Sequence, residues 1–187
     1  MMQAAPDMMP INDSQISMNE PASSMDIETV MYNGDVDLSK YGIKDDDLSI
    51  KLGISTVIGT RKYQQDTLFA DKRGDMVIGI VCDGMGGMTS GDMASKTAVQ
   101  IMAEDFYNIS PNVNIQEFLR AEAVKMDKAV SELVDHTMDE LGSGTTCVTT
   151  IIKDGLMYWM SVGDSRIYII RNNEITQITR DHKKLPS

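Results

Sequence analysis

The most constraining feature of this sequence is an apolar segment, Met76–Cys82, that runs directly into the motif DGMGG at residues 83–87. Near-continuous apolar character is typical of a buried strand. Three glycines then leave the backbone open, and Asp83 stands between the strand and the glycines. An ionised carboxylate at such a position is costly unless a cation or several hydrogen-bond donors lie beside it. The pattern therefore favours a ligand site at Asp83, and the alternative is a plain Asp-Gly turn.

The patterns around this segment predict strands, then two helices, then strands. Apolar residues at helical spacing predict a helix from Ser90, which can cap it, to Asn108, and a longer one from Ile115 to Leu141. This order favours an α+β fold over an alternating parallel sheet. The predicted strands are 50–58, 67–70, 76–82, 145–152, 156–162, 166–170 and 174–178.

The first 50 residues differ in composition from the rest of the chain. The chain has a formal net charge of −11; residues 1–50 hold ten acids and two bases, a net of −8, and residues 51–187 hold eighteen acids and fifteen bases, a net of −3. Low apolar density with high net charge predicts an acidic, disordered leader at 1–50 and a domain at 51–187. A recognition tail for a basic partner is the alternative for the leader.

The overall composition excludes several classes of protein. An acidic chain lacks the Lys/Arg surface that nucleic-acid binding needs. The sequence has no apolar run of 18 residues and no recognisable secretory signal, which predicts neither a membrane span nor export. The two cysteines have no C-x-x-C spacing, as is usual in a reducing compartment. We therefore expect a cytoplasmic protein.

Two further segments place an aspartate at the end of a predicted strand. Residues 61–66, RKYQQD, bring the Arg61 guanidinium and the Asp66 carboxylate together, and Asp164 follows the strand 156–162. Arg can fork onto a phosphate, and carboxylates can hold a metal or its water. Each segment alone could also be an ordinary turn between strands. Three aspartates at strand ends in one domain favour a carboxylate cage. A cage poor in His and Cys suits Mg²⁺ or Mn²⁺ rather than zinc.

Competing chemistries have weaker support. The sequence contains no H-E-x-x-H, P-loop or G-x-S-x-G motif. Cys82 and Cys147 lie in apolar strands and are interpreted as small core residues. His136 is interpreted as a solvated residue of the second helix, and His182 lies near the C-terminus. Residues 142–146 lack the lysine of a phosphate loop and are interpreted as a helix stop leading into a strand.

Five motifs occur in order along the chain: RKYQQD at 61–66, DGMGG at 83–87, GSGTTCV at 142–148, GDSRIY at 163–168 and TRDH at 179–182. Together they resemble the motifs of the metal-dependent serine/threonine protein phosphatases of type 2C, the PPM family, in their bacterial form. The resemblance implies a β-sandwich of two antiparallel sheets flanked by helix pairs. It also implies hydrolysis of phosphoserine and phosphothreonine on proteins by a water activated at two Mn²⁺ or Mg²⁺ ions. Bacterial members often oppose a Hanks-type serine/threonine kinase.

The resemblance implies roles for the acidic residues. Asp83 matches the carboxylate that bridges the two metals, and Gly84 matches the residue whose carbonyl oxygen binds one of them. Asp66, with Gln65 beside it, matches the support of the second metal, through water. Asp164 lies where a residue can help to hold a weaker third metal.

The resemblance also implies a phosphate-binding residue. Arg61 matches the arginine that grips the substrate phosphate and stabilises charge on its equatorial oxygens. Gly86 and Gly87 match the supporting glycines of the loop. Met85 stands where many eukaryotic members have a histidine, a candidate general acid, so the leaving-group proton must come from water or elsewhere. Gln65 is the amide variant at its position, which weakens direct metal ligation there.

The resemblance ends shortly after His182, whereas full-length members continue with a D-G and a D-N motif that complete the first metal. The sequence is therefore expected to be a C-terminally incomplete phosphatase domain. We expect phosphatase activity if the missing C-terminal part completes the domain. The alternatives are a catalytically incompetent module that binds phosphoprotein or a partner, and a product of gene disruption without a stable fold.

Overall fold

The computed structural model describes residues 17–18, 31–37, 50–86, 90–136 and 144–182, and the side chains of 50–86, 90–133 and 144–182. The element order confirms the predicted α+β arrangement of strands, two helices and strands. The elements are β1 (Ser17–Met18), β2 (Met31–Asp37), β3 (Asp66–Arg73), β4 (Met76–Met85), α1 (Ser90–Asn108), α2 (Ile115–His136), β5 (Gly144–Thr145), β6 (Cys147–Lys153), β7 (Leu156–Val162), β8 (Tyr168–Arg171) and β9 (Glu174–Gln177).

The strands form two antiparallel sheets. In the larger sheet the order is β1-β2-β7-β6-β4-β3, with β5 paired to the end of β4, and β8 and β9 form a separate hairpin. Turn residues with positive φ join consecutive strands: Gly74 (φ 60°) between β3 and β4, and Asp154 and Gly155 (φ 51° and 71°) between β6 and β7. Asn172 and Asn173 (φ 49° and 62°) make the two-residue turn of the β8–β9 hairpin. Positive φ at both central residues matches the strand twist of a tight hairpin.

The two helices pack together and cover one face of the larger sheet. Side chains alternate between the faces of a strand, so every second residue of β4 from Met76 to Cys82 lies on the helical face. Phe106 of α1 and Leu119 of α2 are fully buried there. The core residues are Met76, Ile78, Ile80, Cys82, Ala98, Val99, Met102, Phe106, Ile109, Ile115, Leu119, Ala123, Met126, Cys147, Ile151 and Met160.

The opposite face of the sheet carries a second, smaller set of buried residues. Val148 of β6 and Trp159 of β7 lie on this face and are buried, as is Ile178, which follows β9. Toward the β3 edge, Val81 is opposite Leu68 in the ladder and is 43% exposed. This face therefore changes from buried to open along the direction from β7 to β3.

The boundaries of the predicted elements differ in their agreement with the structure. The predictions for α1 and β7 are confirmed at both ends, whereas β4 continues beyond Cys82 to Met85. The extension forms because Gly84 and Met85 pair with β5, a partner that local sequence does not reveal. The end of α2 was predicted at Leu141; the described helix reaches His136, and residues 137–143 lie outside the described residues.

The predicted strand at 50–58 is wrong. No strand is assigned to this segment, and its large apolar side chains Leu52, Ile54 and Val57 are 45%, 65% and 80% exposed. A strand needs a neighbour for its backbone hydrogen bonds, and alternation of apolar residues does not supply one. The apolar pattern of this segment therefore did not decide its conformation.

Part of the acidic leader also departs from the prediction of disorder. Residues 31–37 form β2, which pairs along the whole length of β7 from Met31 opposite Val162 to Asp37 opposite Leu156. The short β1 extends the same edge. Strand addition at a sheet edge uses backbone groups, so charged and polar composition does not prevent it. The domain start near Lys51 remains a prediction.

Neither helix in the described part of the chain is long and apolar enough to cross a membrane.

Candidate metal and phosphate site

The antiparallel register of β3 and β4 places two carboxylates side by side. Asp66, the first residue of β3, is directly opposite Asp83 near the end of β4. Directly opposed residues lie on the same face of the sheet with their Cβ atoms about 5 Å apart. The face is the one that the helices do not cover. Two of the predicted site residues are therefore brought together by the ladder itself.

The electrostatic environment of Asp83 connects all four predicted charged residues. Burial raises the pKa of Asp83, and the charge of Asp66 and a hydrogen bond between the two side chains raise it further. Asp164 adds a smaller effect in the same direction, whereas the Arg61 guanidinium lowers the pKa of Asp83. Arg61 is the last residue of the turn at residues 58–61, and its N–H donates to the carbonyl of Ile58 at 3.2 Å. Two carboxylates and one guanidinium thus influence the pKa of Asp83.

The backbone of Asp83 is held by two adjacent threonines. The Thr146 N–H donates to the Asp83 carbonyl at 2.9 Å, and the Thr145 hydroxyl donates to the same oxygen at 3.1 Å. The Asp83 N–H in turn donates to the Thr146 hydroxyl oxygen at 3.1 Å. A side-chain hydroxyl takes the place of a backbone acceptor here, and the predicted strand at 145–152 is accordingly divided into β5 and β6 at Thr146.

The sequence interpretation of residues 142–146 as a helix stop missed this role. Residues 142–143 lie outside the described residues, and Gly144 pairs with Met85 in β5. The available signal was the position of two threonines in a motif shared with the resembling family. Nothing in local propensity connects Thr146 to Asp83, 63 positions earlier in the chain.

The turn that carries Asp164 is held from both sides. Gly163 has φ 92°, and its N–H donates to Nδ1 of His182 at 2.9 Å, while the His182 N–H donates to the Gly163 carbonyl at 3.2 Å. On the other side, the hydroxyls of Thr146 and Ser165 are 2.6 Å apart. His182, which received no role from its position in the sequence, therefore fixes the turn beside Asp164.

Gly84 lies in a close approach between β4 and the start of α1. A Cβ atom on Gly84 would fall far inside van der Waals contact with the carbonyl oxygen of Gly91, so only glycine fits. The Gly84 N–H donates to the carbonyl of Gln65 at 3.1 Å, and the Ser95 hydroxyl donates to the same carbonyl at 2.7 Å. The Gln65 side-chain amide lies against Gly91. The backbone carbonyl of Gln65 thus supports the Gly84 backbone.

The glycine loop beyond β4 is described only as far as Gly86. Gly86 has φ 134°, a conformation that L side chains rarely adopt, and the preceding Met85 is 54% exposed. Gly87, the other predicted supporting glycine, lies outside the described residues.

The two cysteines behave as the sequence predicts. Cys82 and Cys147 are both buried and both free thiols. A hydrogen bond with Cys147 and burial raise the pKa of the Cys82 thiol, which disfavours the thiolate and hence nucleophilic chemistry.

The described part of the site supplies oxygen ligands of the kind that divalent metal ions bind. Carboxylate and carbonyl oxygens are the ligands that Mg²⁺ and Mn²⁺ prefer, and the facing Asp66 and Asp83 concentrate negative charge that a cation would neutralise. Within the described residues, however, no group of three or more His, Cys, Asp or Glu side chains is close enough to hold a metal ion. Asp66 and Asp83 adjoin and Asp164 acts on Asp83 through its charge, and the three-aspartate cage stays a prediction.

The fold and the arrangement of motifs define a member of the protein phosphatase 2C family, and the chain matches that family over residues 52–185. It is 33% identical over 127 residues to the serine/threonine phosphatase stp of Listeria welshimeri, an alignment that covers 65% of this chain and 50% of the relative. The chain spans about half the length of the first curated relatives that it matches.

Solved structures of bacterial phosphatases share the fold. The catalytic domain of the serine/threonine protein phosphatase PstP, in complex with two manganese ions, has a TM-score of 0.58 and 29% identity over 65% of this chain and 51% of that one. Serine/threonine phosphatase Stp1 from Staphylococcus aureus has a TM-score of 0.59 and 27% identity over 66% of this chain and 50% of that one. The family and the fold predicted from the motifs are confirmed.

Proposed function

We propose that these residues form part of a phosphatase site that hydrolyses phosphoserine and phosphothreonine on proteins, with Mn²⁺ or Mg²⁺ as cofactor. The observation that carries the proposal is the position of Asp66 directly opposite Asp83 in the sheet. The positive charge of Arg61 also acts on the Asp83 carboxylate. The family and a relative solved with two manganese ions support this chemistry. The chain spans about half the length of the first curated relatives that it matches, so the proposal concerns the part of the site that these residues form.

Each residue of the site has a proposed task. When bound, two divalent cations supply an activated water and screen the charge of the phosphate. The Asp83 carboxylate and the Gly84 carbonyl oxygen would hold the cations, and the Asp66 carboxylate would support them through water. Arg61 binds the phosphate through its guanidinium fork and stabilises charge that develops on the phosphate oxygens. Asp164 is the proposed ligand of a weaker third ion.

A second candidate function is binding of phosphoprotein without turnover. It is favoured by one observation: within the described residues the acidic side chains do not form a group of three or more that could hold a metal. In this case Arg61 would still bind a phosphate, since a guanidinium fork needs no metal for that contact.

The experiment uses the natural protein, purified with its intact mass measured against 20.7 kDa for the 187-residue chain. Phosphate release from a phosphothreonine peptide is measured with Mn²⁺ and with chelator. Asp83→Asn is compared with Asp154→Asn, because Asp154 lies in the β6–β7 turn, away from the site, and its positive φ of 51° also suits Asn.

We expect release that needs metal, is lost in Asp83→Asn and persists in Asp154→Asn. Peptide binding without release would replace the first proposal by the second. Neither binding nor release would overturn both.

The proposed partners follow from the same chemistry. Phosphorylated proteins are the substrates, and the enzyme that supplies them is a Hanks-type serine/threonine kinase. The cytoplasm is the proposed compartment, supported by the two buried free thiols Cys82 and Cys147.

A further inference from the structure

We infer that Thr146 is a positioning residue that ties the backbone of Asp83 to the turn carrying Asp164 and so sets the separation of their carboxylates. The inference concerns the site of the proposed function and rests on it for its catalytic meaning. The link itself is a contact between protein groups and can be tested without turnover.

A pair of hydrogen bonds joins Thr146 to the backbone of Asp83. The Asp83 N–H donates to the Thr146 hydroxyl at 3.1 Å, and the Thr146 N–H donates to the Asp83 carbonyl at 2.9 Å. Thr146 is 2% exposed, so water does not compete for these groups. The peptide units on both sides of the Asp83 Cα atom are therefore fixed by one residue.

The same hydroxyl also contacts the turn that carries Asp164. Thr146 Oγ1 lies 2.6 Å from the hydroxyl of Ser165, the residue that follows Asp164 in the sequence. Because Oγ1 accepts the Asp83 N–H, its own proton can be donated to Ser165, and the three groups form one continuous chain. The Thr146 hydroxyl oxygen is thus within hydrogen-bond distance of the Asp83 N–H and of the Ser165 hydroxyl.

The turn before Asp164 also packs against the side chain of Thr146. A Cβ on Gly163 would lie 2.8 Å from Cγ2 of Thr146, so the turn is pressed against the threonine methyl group. His182 holds the other side of Gly163 through two hydrogen bonds. The turn before Asp164 is thereby clamped between Thr146 and His182, and it cannot move away from Asp83 without breaking contacts on one side.

The hydroxyl and the methyl group of Thr146 can be separated by substitution. Thr146→Val keeps the shape and the methyl packing against Gly163 but removes the hydroxyl. Thr146→Ser keeps the hydroxyl and removes the methyl group. A purely structural role through packing predicts a native-like Val variant and an impaired Ser variant, whereas the hydroxyl link predicts the reverse.

The test uses the full chain with two measurements. Amide hydrogen exchange of Asp83 reports its bond to the hydroxyl, and titration with Mn²⁺ alone reports the ligand geometry. In Thr146→Val we expect exchange about tenfold faster at Asp83 and Mn²⁺ affinity about tenfold weaker, the usual consequence of losing an outer-shell partner. Thr146→Ser should restore both. Thr150→Val, which changes the same residue type farther along β6, should leave both unchanged.

A double-variant cycle tests the contact with Ser165. If one hydrogen-bond chain carries the effect, Thr146→Val with Ser165→Ala should weaken Mn²⁺ binding no more than Thr146→Val alone. Native-like Asp83 exchange in Thr146→Val, or additive effects in the cycle, would overturn the inference. A wild-type chain that binds no Mn²⁺ would count against the proposed function, and the exchange measurement would still decide the role of Thr146.

Discussion

Asp66 and Asp83 are direct neighbours across β3 and β4, and their carboxylates lie on the face of the sheet that the helices leave open. Burial and this neighbour raise the pKa of Asp83. The pair therefore destabilises the metal-free chain at neutral pH, since a raised native pKa of an acid costs free energy once the group is ionised. The same concentration of charge is what a divalent cation stabilises.

The first prediction follows from this pair. Asp83→Asn should raise the melting temperature of the chain in the presence of chelator, because it removes the repulsion between two carboxylates. It should also abolish stabilisation by Mn²⁺, which for a wild-type site is about 2.7 kcal/mol at an ion concentration of about 100 Kd. Thermal unfolding with and without Mn²⁺ measures both effects, with Asp154→Asn as the matched control. A variant that loses stability in chelator would contradict the repulsion.

The second prediction concerns the close approach of Gly84 and Gly91. Gly84→Ala should destabilise the chain by about 3 kcal/mol, because its methyl group would meet the backbone carbonyl of Gly91, which cannot move independently of α1. Gly91→Ala should cost less, since its Cβ would be 2.6 Å from the flexible end of the Gln65 side chain and no closer than 3.1 Å to the Gly84 backbone. Urea unfolding measures the order of the two effects.

Gly53→Ala is the control for this comparison. A Cβ on Gly53 has nothing within 4 Å, so the substitution should change the free energy of unfolding by less than about 0.5 kcal/mol. Equal costs at positions 84 and 91 would show that the approach of strand and helix is looser than the structure indicates.

The third prediction concerns a buried carboxyl group between the helices. Burial and the neighbouring Asp105 raise the pKa of Glu122 from 4.5 to about 7, and Lys125 opposes this shift. Glu122 is 7% exposed, and its Oε2 atom has no hydrogen-bond partner in the described part of the chain. The proton that Glu122 retains in the folded state is thus one that the unfolded chain loses at lower pH.

The raised pKa of Glu122 makes the free energy of unfolding depend on pH. Between about pH 4.5 and 7 the folded chain binds more protons than the unfolded chain, so stability falls as pH rises through this window. Glu122→Gln should flatten this fall and gain about 1 kcal/mol on wild type between pH 5 and pH 8. Urea unfolding at the two pH values measures it. Glu132→Gln, on an exposed side chain of α2, is the control and should retain the wild-type slope.

The sequence predicted most of the elements that are defined by local patterns. Helix α1 has its apolar residues at helical spacing and a capping serine, and β7 is an apolar strand that begins after an Asp-Gly turn, so each carries its own signal. The segment 50–58 has an equally good strand pattern, but its conformation depends on a neighbouring strand and not on the pattern. The same dependence on a partner explains β2, whose pairing with β7 uses backbone groups that composition does not describe.

The candidate site shows the same division between local and distant signals. Asp83, Asp66 and Arg61 could be selected because each stands at a recognisable break in a pattern. Thr146 and His182 could not be selected in this way, since their roles arise only from contacts with Asp83 and Gly163 across the sheet. The sequence therefore identifies charged residues at strand ends, whereas residues that support them can be identified only from the three-dimensional structure.

The last prediction concerns Arg61, which acts on Asp83 from the turn before β3. A guanidinium binds phosphate through two parallel N–H donors, whereas an ammonium group provides only a point charge. Arg61→Lys should therefore weaken binding of a phosphothreonine peptide by about tenfold and Arg61→Ala by more, a loss of about 1.4 kcal/mol or above. Lys62→Ala, a change at the adjacent exposed cation, controls for the loss of general positive charge and should have a small, salt-sensitive effect. Titration of the peptide at two salt concentrations separates the two cases. Equal losses at positions 61 and 62 would mean that the phosphate is attracted by net charge rather than held by the Arg61 fork.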